Sequence, residues 1–598
     1  MRLRHLPAVA ITLLTLSAPM VAAQAVRYEV SVASVAAHLF HVKAEFPTAG
    51  TDTLLVSLPA WSPGNYEIQN YARFVRHFAA QDAAGKALFW DRLDKDTWRI
   101  GTNKSPTITV AFDFLADEID LSRARLVADF GTFLGTNLFL YQEGQLERPA
   151  EVRFALPAGW AVATALPRGG DAYRAADYHE LADAQTFVGH FSLDSLQVDG
   201  KWIRVATWPA ADYTPAVARN LRDGIAKQAA VQNALMGGPP YDTYTLFFNV
   251  IHEPINYGGG LEHAASQYDI LPTEMFADAS GTLGSFMRPL TSHEFFHLWN
   301  VKRIRPAEMW PYDYHAEQYT PLLWWSEGVT DYYGDATNWR AGLWTDAQWL
   351  ESVQSNIEQV QGAPEPWSEE DGSAATWINE VFVNSSQLYY PKGSLTGLLL
   401  DISIRDATDN RHSLDEVTRN LYTRFSKQGK GFRTADLLAL LTEAGLPDAT
   451  GFYQKYINGR DELPYEQILP KGGIAVQRHS TSAPFLGVQT GGTANVIEAI
   501  VPGGAAEAAG VQAGDTLVSV GDVKALPDQD WGPAFRDRYR GKAGAPLPIV
   551  IRRDGKLQTL AGTVIERTVN VFIVSKAPSP DAKAARIFRG LASGTVGN

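Results

Sequence analysis

The hydrophobic pattern of this chain changes its period near residue 209, and that change limits the folds that are open to it. Up to about residue 205, short runs such as residues 28–32 and 107–112 alternate apolar and polar side chains between turn residues, which is typical of β-strands. We therefore expect an N-terminal β-sandwich over residues 26–208. The later apolar residues follow helical spacing, which predicts a mostly helical domain over residues 209–470.

The chain has 598 residues, which is more than one hydrophobic core ordinarily supports, so further domains are expected. Residues 471–483 are rich in glycine, serine and threonine and are predicted to be a linker. Residues 484–570 contain a strand, a short alanine-rich helix, a Gly-Asp turn and a second strand, and this order resembles a bacterial PDZ domain. The sequence thus predicts a multidomain α+β protein with a C-terminal tail, residues 571–598.

The first residues have the composition of a targeting segment. Arg2 and Arg4 precede an apolar stretch, and the small residues around Ala23 and Ala25 form a cleavage pattern. We expect residues 1–25 to be a signal peptide and the protein to be exported, periplasmic or secreted. An uncleaved N-terminal anchor is the alternative.

Composition excludes several classes of site and partner. The absence of cysteine excludes thiolate zinc sites, cysteine nucleophiles and iron–sulfur clusters. A formal net charge of -14 works against binding to nucleic acid. No later run approaches the roughly 20 apolar residues that cross a bilayer, so no membrane span is expected in the mature protein. A metal ion would have to be held by histidine and carboxylate.

His293 and His297 have the spacing of a metal site on a helix. Residues four apart lie on one helical face, so the two imidazoles can share one tetrahedral ion. Glu294 is not needed as a ligand and would lie near the metal-bound water, from which it can take a proton. A solvated helix that carries these three side chains by chance is the alternative.

A third ligand is available thirty residues further on. Glu327 can complete a site of two histidines and one glutamate and leave one position open for water. Asp331 follows Glu327 by one helical turn. We predict that its carboxylate orients a ligand histidine, most directly His293, by accepting a hydrogen bond from the ring N–H that does not face the metal.

These segments resemble the gluzincins, the group of thermolysin and aminopeptidase N. In detail, residues 292–306 and 325–333 look like the glycyl aminopeptidase family of bacterial gluzincins, as does the PDZ-like unit behind them. The resemblance implies a thermolysin-like catalytic domain that binds one Zn²⁺ per chain through His293, His297 and Glu327.

The same resemblance assigns two further groups. Tyr390, in the Tyr-Pro-Lys-Gly segment, looks like the tyrosine that stabilises the tetrahedral intermediate; its neighbour Tyr389 is the alternative. Gly259, Gly260 and Glu262 look like the strand that binds the substrate N-terminus, with Glu262 pairing to the free α-ammonium. His263 departs from the family pattern and receives no role.

We therefore predict a zinc-dependent aminopeptidase, with Glu294 as general base, that acts on peptides with a free N-terminus. The family resemblance implies a preference for small N-terminal residues, glycine and alanine. The alternatives are an exported zinc endopeptidase in which the PDZ-like domain captures unfolded chains or their C-termini, and a binding protein without catalysis. The PDZ-like domain itself is expected either to bind a peptide C-terminus or to have a purely structural role. The basic cluster at Lys302, Arg303 and Arg305 is interpreted as structural rather than as a site for a substrate carboxylate.

Overall fold

The computed structural model describes residues 24–253, 258–278, 283–363, 367–378, 388–491, 495–526 and 531–597. The predicted signal peptide lies almost wholly outside these ranges. Within them, no helix combines the length and apolar character that crossing a membrane requires. The multidomain α+β organisation predicted from the sequence is confirmed, with a β-rich N-terminal unit, a helical middle part and a C-terminal β unit where the PDZ-like domain is predicted, here called the PDZ unit.

The N-terminal unit consists of three sheets over a common core. In β7, Ile108, Val110, Phe112 and Phe114 alternate with more exposed residues, so one face of the strand lies on the core. The sheets run β13-β14-β11-β1-β2-β7-β4, β10-β3-β6-β5 and β12-β15-β9-β8. Their strands are β1 (Val26–Ser34), β2 (Leu39–Pro47), β3 (Thr53–Ser57), β4 (Val75–Asp82), β5 (Trp90–Arg92), β6 (Thr97–Gly101), β7 (Thr107–Leu115), β8 (Arg125–Val127), β9 (Phe130–Phe133), β10 (Tyr141–Gln142), β11 (Ala150–Ala155), β12 (Ala161–Thr164), β13 (Arg168–Gly169), β14 (Ala172–Ala175) and β15 (Thr186–Gly189), with the short helices α1 (Gly135–Leu138) and α2 (Tyr178–Ala182) between them.

The catalytic part begins with a mixed sheet in the order β16-β17-β18-β20-β19. Its strands are β16 (Ser192–Val198), β17 (Lys201–Trp208), β18 (Thr243–Ile251), β19 (Gly259–His263) and β20 (Ser266–Pro272). Because β16 and β17 belong to this sheet, the predicted boundary at residue 208 lies too late in the chain. Strand β19 is an edge strand, and Gly260 and Glu262 face Asp269 and Gln267 of β20.

Helices pack against this sheet and carry the functional residues. Helix α3 begins at Pro215 after a Thr214 cap and ends at Gly237 in the left-handed conformation, as its sequence dictates. The α-helices are α3 (Pro215–Met236), α4 (Thr273–Phe276), α5 (Met287–Phe296), α6 (Val329–Arg340), α7 (Asp346–Gly362), α8 (Glu369–Ala375), α9 (Tyr389–Ala407), α10 (Leu414–Arg424), α11 (Thr434–Glu443), α12 (Ala449–Phe452) and α13 (Tyr465–Ile468). Trp324–Gly328 and Tyr453–Ile457 form π-helical turns.

The C-terminal region corrects two of the predicted boundaries. Residues 471–483, predicted as a linker, instead supply most of strand β21 (Ile474–Pro484), which pairs along its whole length with β28 (Glu566–Lys576). The predicted tail contains the end of β28 and an amphipathic helix, Ala582–Ser593, whose Ile587, Phe588 and Leu591 join the core of the catalytic part. A half-exposed two-stranded ribbon can carry as many serine and threonine residues as a linker does, so composition alone does not distinguish the two.

The PDZ unit is inserted between the two strands of this ribbon. Its sheet follows the order β22-β23-β24-β26-β27, with β25 paired to β24, so β22 is an edge strand. The elements are β22 (Val488–Gly491), β23 (Val496–Ile500), α14 (Ala505–Ala509), β24 (Thr516–Val520), β25 (Val523–Lys524), α15 (Gly532–Tyr539), β26 (Pro546–Arg553) and β27 (Lys556–Thr563), and the helix Ala582–Ser593 is α16.

Candidate metal centre and active site

Helix α5 brings His293, Glu294 and the C-cap residue His297 to the inner end of the catalytic cleft. The Nε2 atoms of the two histidines lie 2.9 Å apart. Oε2 of Glu327 is 3.6 Å from Nε2 of His293 and 3.2 Å from that of His297. Two imidazole nitrogens facing each other beside a buried carboxylate oxygen are the donor set that zinc prefers, and the residues fit that ion.

The other ring nitrogens are oriented by neighbouring oxygens. Oδ1 of Asp331 lies 2.7 Å from Nδ1 of His293, which is the position that the sequence predicts for this carboxylate. Nδ1 of His297 is 2.5 Å from the carbonyl oxygen of Asn300. Both contacts favour the tautomer that leaves Nε2 free for a metal ion.

Close contacts between helices position Glu327. The residue lies in the π-helical turn Trp324–Gly328, and such turns are frequent at functional sites. A Cβ on Gly328 would lie 2.3 Å from the carbonyl oxygen of Tyr389, and one on Gly393 would lie 2.5 Å from that of Trp324. The two glycines therefore allow α9, which carries Tyr390, to approach the turn that carries Glu327.

Glu294 lies between strand β19 and the histidines. Its side chain is buried, and Oε2 has no hydrogen-bond partner among the described residues. A Cβ on Gly260 would lie 2.4 Å from Oε1 of Glu294 and 2.6 Å from Oδ1 of Asp269. Burial raises the pKa of Glu294, the charge of His293 opposes that shift, and the carboxylates of Asp269 and Glu262 add to it. Asp269, whose pKa burial raises to about 8, was not singled out in the sequence because only strand pairing brings it here.

Glu262 is buried beside Glu294, and its Oε1 has no hydrogen-bond partner among the described residues. Lys302 Nζ lies 3.8 Å from that oxygen but makes its closer contacts, both 3.0 Å, with Asp183 and the carbonyl oxygen of Pro63. Burial lowers the pKa of Lys302, yet the charge of Asp183 outweighs it and holds the pKa above its usual value. Lys302 thus makes an ion pair, as interpreted from the sequence.

The N-terminal unit contributes directly to the site. The Tyr66 hydroxyl donates to Oε1 of Glu327 at 2.8 Å, and Gly64, at a φ of +108°, lies against the carboxylate of Glu262. His263, left without a role by the sequence, has Nδ1 3.1 Å from Oδ1 of Asp183. Neither Asp183 nor Tyr66 is marked by a local motif, because only contacts between distant segments of the chain bring them to the site.

Tyr390 and Tyr389 differ in their surroundings. Tyr390 lines the cleft with His293, and their ring centroids are 6.1 Å apart. Tyr389 is buried behind it, with its hydroxyl 3.1 Å from Thr376. Burial and the charge of Glu327 raise the pKa of Tyr390, so its hydroxyl stays protonated.

The cleft itself has a volume of about 960 Å³, large enough for a peptide. Gly259 and Gly260 form one wall and Phe286 and Leu290 another. Gln489, on edge strand β22 of the PDZ unit, also lines it, so the PDZ unit borders the site.

Comparison with protein families gives three matches. Residues 27–190 match the peptidase M61 N-terminal domain, residues 287–396 match M61 glycyl aminopeptidase, and residues 496–553 match a PDZ domain. The chain has no significant match among the curated proteins.

Among solved structures, an aminopeptidase N family protein from Idiomarina loihiensis shares the fold, with a TM-score of 0.84 and 23% identity over 95% of this chain and 100% of that chain. An M1 zinc metallopeptidase from Deinococcus radiodurans is more distant, with a TM-score of 0.47 and 13% identity over 74% of this chain and 95% of that chain.

Proposed function

Because this chain belongs to the M61 glycyl aminopeptidase family and is a zinc metallo-aminopeptidase, we propose that it removes single small residues, glycine and alanine first, from the N-terminus of peptides. The observation that carries the proposal is the buried, unbonded carboxylate oxygen of Glu262 beside Glu294. A buried negative charge without a full counter-charge is costly, and a substrate ammonium would supply the missing partner.

One zinc ion per chain would be held by His293, His297 and Glu327, whose three ligand atoms lie within 4.8 Å of one another. Zinc, when bound, supplies a Lewis acid for the scissile carbonyl and lowers the pKa of water. The four buried carboxyl groups of Glu262, Asp269, Glu294 and Glu327 support this assignment, because they favour added positive charge.

Glu294 acts as the general base. It takes a proton from the attacking water and delivers that proton to the nitrogen of the leaving amine. The burial of Glu294 beside the ligand histidines and its Oε2, which has no hydrogen-bond partner among the described residues, support this role.

Tyr390 donates a hydrogen bond to the oxyanion of the tetrahedral intermediate. Its position on the cleft wall near His293 supports this assignment. The buried position of Tyr389 and its contact with Thr376 count against the alternative.

Small residues are preferred because the Tyr66 ring, which is supported by Trp377, limits the space beside the carboxylate of Glu262. Tyr66 is bonded to Glu327, and its ring centroid is 5.9 Å from that of Trp377. Gly64 lies in contact with the carboxylate of Glu262. A long side chain on the first substrate residue would have to displace one of these groups.

The position of Gln489 favours a second role for the PDZ unit. An extended peptide in the cleft would pass beside β22, an edge strand whose backbone can pair with it. The PDZ unit would then hold the part of the peptide beyond the scissile bond. In the alternative function, an endopeptidase, the same contact would hold an internal segment.

Rates on Gly-, Ala- and Leu-anilides and on an N-acetylated glycyl peptide test the proposal, with zinc content measured on each protein. We expect the wild type to cleave only free amines, and the Glu262→Ala variant to lose that selectivity while keeping its zinc. The Glu294→Gln variant should lose turnover and keep zinc. Cleavage of the acetylated peptide by the wild type at an undiminished rate would refute the aminopeptidase and favour the endopeptidase.

We also infer that the chain is exported and that residues 1–25 are removed. The basic start, apolar stretch and small-residue pattern of this segment support the inference. N-terminal sequencing of protein from the periplasm or culture medium tests it, and an intact Met1 in that protein would contradict it.

A further inference from the structure

A second cavity, of about 360 Å³, shares no lining residue with the catalytic cleft. It lies between the loop that follows α5 and the end of α10. None of its lining residues, all within the described part of the chain, is acidic. Five of them are basic, namely Lys302, Arg303, Arg305, Lys427 and Lys430. Such a concentration of positive charge is unexpected in a chain with a formal net charge of -14.

Most of this charge is not compensated. Lys302 is paired with Asp183, but the other four side chains make no ion pair with any described residue. Arg303 donates to the carbonyl oxygens of Ala264, Leu298 and Pro240 and not to a carboxylate.

Arg305 is held in place without a charged partner. Its guanidinium lies 3.8 Å from the ring centroid of Trp310. Its Nε is buried and has no hydrogen-bond partner among the described residues. On the opposite wall, the ammonium of Lys427 is 4.8 Å from the Tyr422 ring centroid, and Lys430 is exposed. Arg305 thus lines the cavity without an anionic partner among the described residues, which leaves its guanidinium group available to an anionic ligand.

We propose that this cavity binds a small multivalent oxyanion of the phosphate class. Arginine guanidinium groups match the geometry of phosphate oxygens. Two arginines and two lysines carry four positive charges, which suits an anion with several negative charges better than an anion with a single negative charge. The volume is at the lower end of the range for ligand sites, which favours a small molecule. The hydroxyl of Ser426, also on the cavity wall, can donate one further hydrogen bond.

A substrate carboxylate is a poorer occupant. The cavity and the catalytic cleft have no lining residue in common, so a peptide in the cleft does not extend into the cavity. Lys302, which lines the cavity and is near Glu262, donates to Asp183 and is not available to a carboxylate. The proposed anion site is therefore independent of the peptidase function, and an experiment that disproves one leaves the other standing.

Calorimetric titration of the full-length protein with pyrophosphate, inorganic phosphate and glycerol 3-phosphate tests the proposal. We expect pyrophosphate or the phosphate ester to bind in the micromolar range. Binding of the ester alone would identify an organic phosphate as the ligand, and binding of pyrophosphate alone would identify an inorganic one.

Two variants test the location. Lys427→Glu/Lys430→Glu alters exposed side chains, and Arg305→Gln removes a guanidinium charge from the cavity wall; each should weaken binding by about tenfold or more. The control Lys86→Glu/Lys556→Glu makes the same charge change at exposed positions elsewhere and should retain the wild-type affinity. Thermal unfolding verifies that each variant is folded. No saturable binding by the wild type, or equal losses in the control and the Lys427→Glu/Lys430→Glu variant, would overturn the proposal.

Discussion

Replacing Gly260 by alanine tests whether strand β19 sets the position of the general base. The added Cβ would lie 2.4 Å from Oε1 of Glu294 and 2.6 Å from Oδ1 of Asp269. Carbon and oxygen atoms in close contact are usually about 3.3 Å or more apart. The carboxylate of Glu294 must therefore retreat by about 1 Å, or the strand must move by a similar distance.

A displacement of about 1 Å in a catalytic group can cost roughly 10²-fold in rate. We therefore expect the kcat of Gly260→Ala on Gly-anilide to fall by about that factor. Overpacking should cost about 1–3 kcal/mol of unfolding free energy. The three atoms nearest to the new methyl group belong to Glu294 and Asp269 and not to a predicted zinc ligand, so zinc content should stay at the wild-type level.

Gly259→Ala is the matched variant in the same strand. Among the described residues its Cβ would meet only Cδ1 of Leu121, at 3.3 Å, and that atom is the flexible end of a side chain. Because Gly259 lines the cleft, we expect a change in KM and a loss in kcat of less than about threefold. Steady-state kinetics with metal analysis measures both variants. The reasoning is refuted if Gly260→Ala keeps kcat within about threefold of the wild type, or if it loses activity and zinc in the same proportion.

Three further predictions concern the metal, the oxyanion and the pocket. Asp331→Asn should weaken zinc binding by about 10–100-fold in competition with a chelator, and an unchanged affinity would contradict the contact with His293. Tyr390→Phe should lower kcat by about 10²–10³-fold, whereas Tyr389→Phe, which loses its hydroxyl contacts with Thr376 and Tyr390, should lower it less than about tenfold; equal losses would reverse the assignment. Trp377→Ala should raise the rate on Leu-anilide relative to Gly-anilide by about tenfold, and a constant ratio would remove Trp377 from the pocket.

The sequence could predict those parts of the site in which the relative position of two side chains depends only on their separation along one helix. His293 and His297 are one turn apart, as are Glu327 and Asp331, so the side chains of each pair project from one face wherever their helices lie. The observed distances between these four residues agree with that geometry. The family resemblance added Tyr390 and Glu262, whose roles local spacing does not determine.

The parts that the sequence could not predict depend on strand register and on contacts between domains. Asp269 meets Glu294 only because Gly260 pairs with it across β19 and β20. Tyr66 reaches Glu327 across 261 positions of the chain. The ribbon of β21 and β28 could not be predicted for the same reason. Its two strands are separated in the sequence by the whole PDZ unit, and only their pairing in the fold identifies them as a ribbon.

The charge of the amine anchor depends on such a distant contact. Lys302 is a buried cation whose Nζ lies 3.8 Å from Oε1 of Glu262. If Lys302 had no other partner, the two groups would form a full ion pair that competes with the ammonium of a substrate. Asp183, from the N-terminal unit, prevents this by holding the ammonium at 3.0 Å while Glu262 remains 3.8 Å away. The same Asp183 accepts from the backbone N–H of Ala264 at 2.6 Å and so fixes the end of the strand that carries Glu262. The N-terminal unit therefore supports both the position and the free charge of the group that is proposed to select the peptide N-terminus.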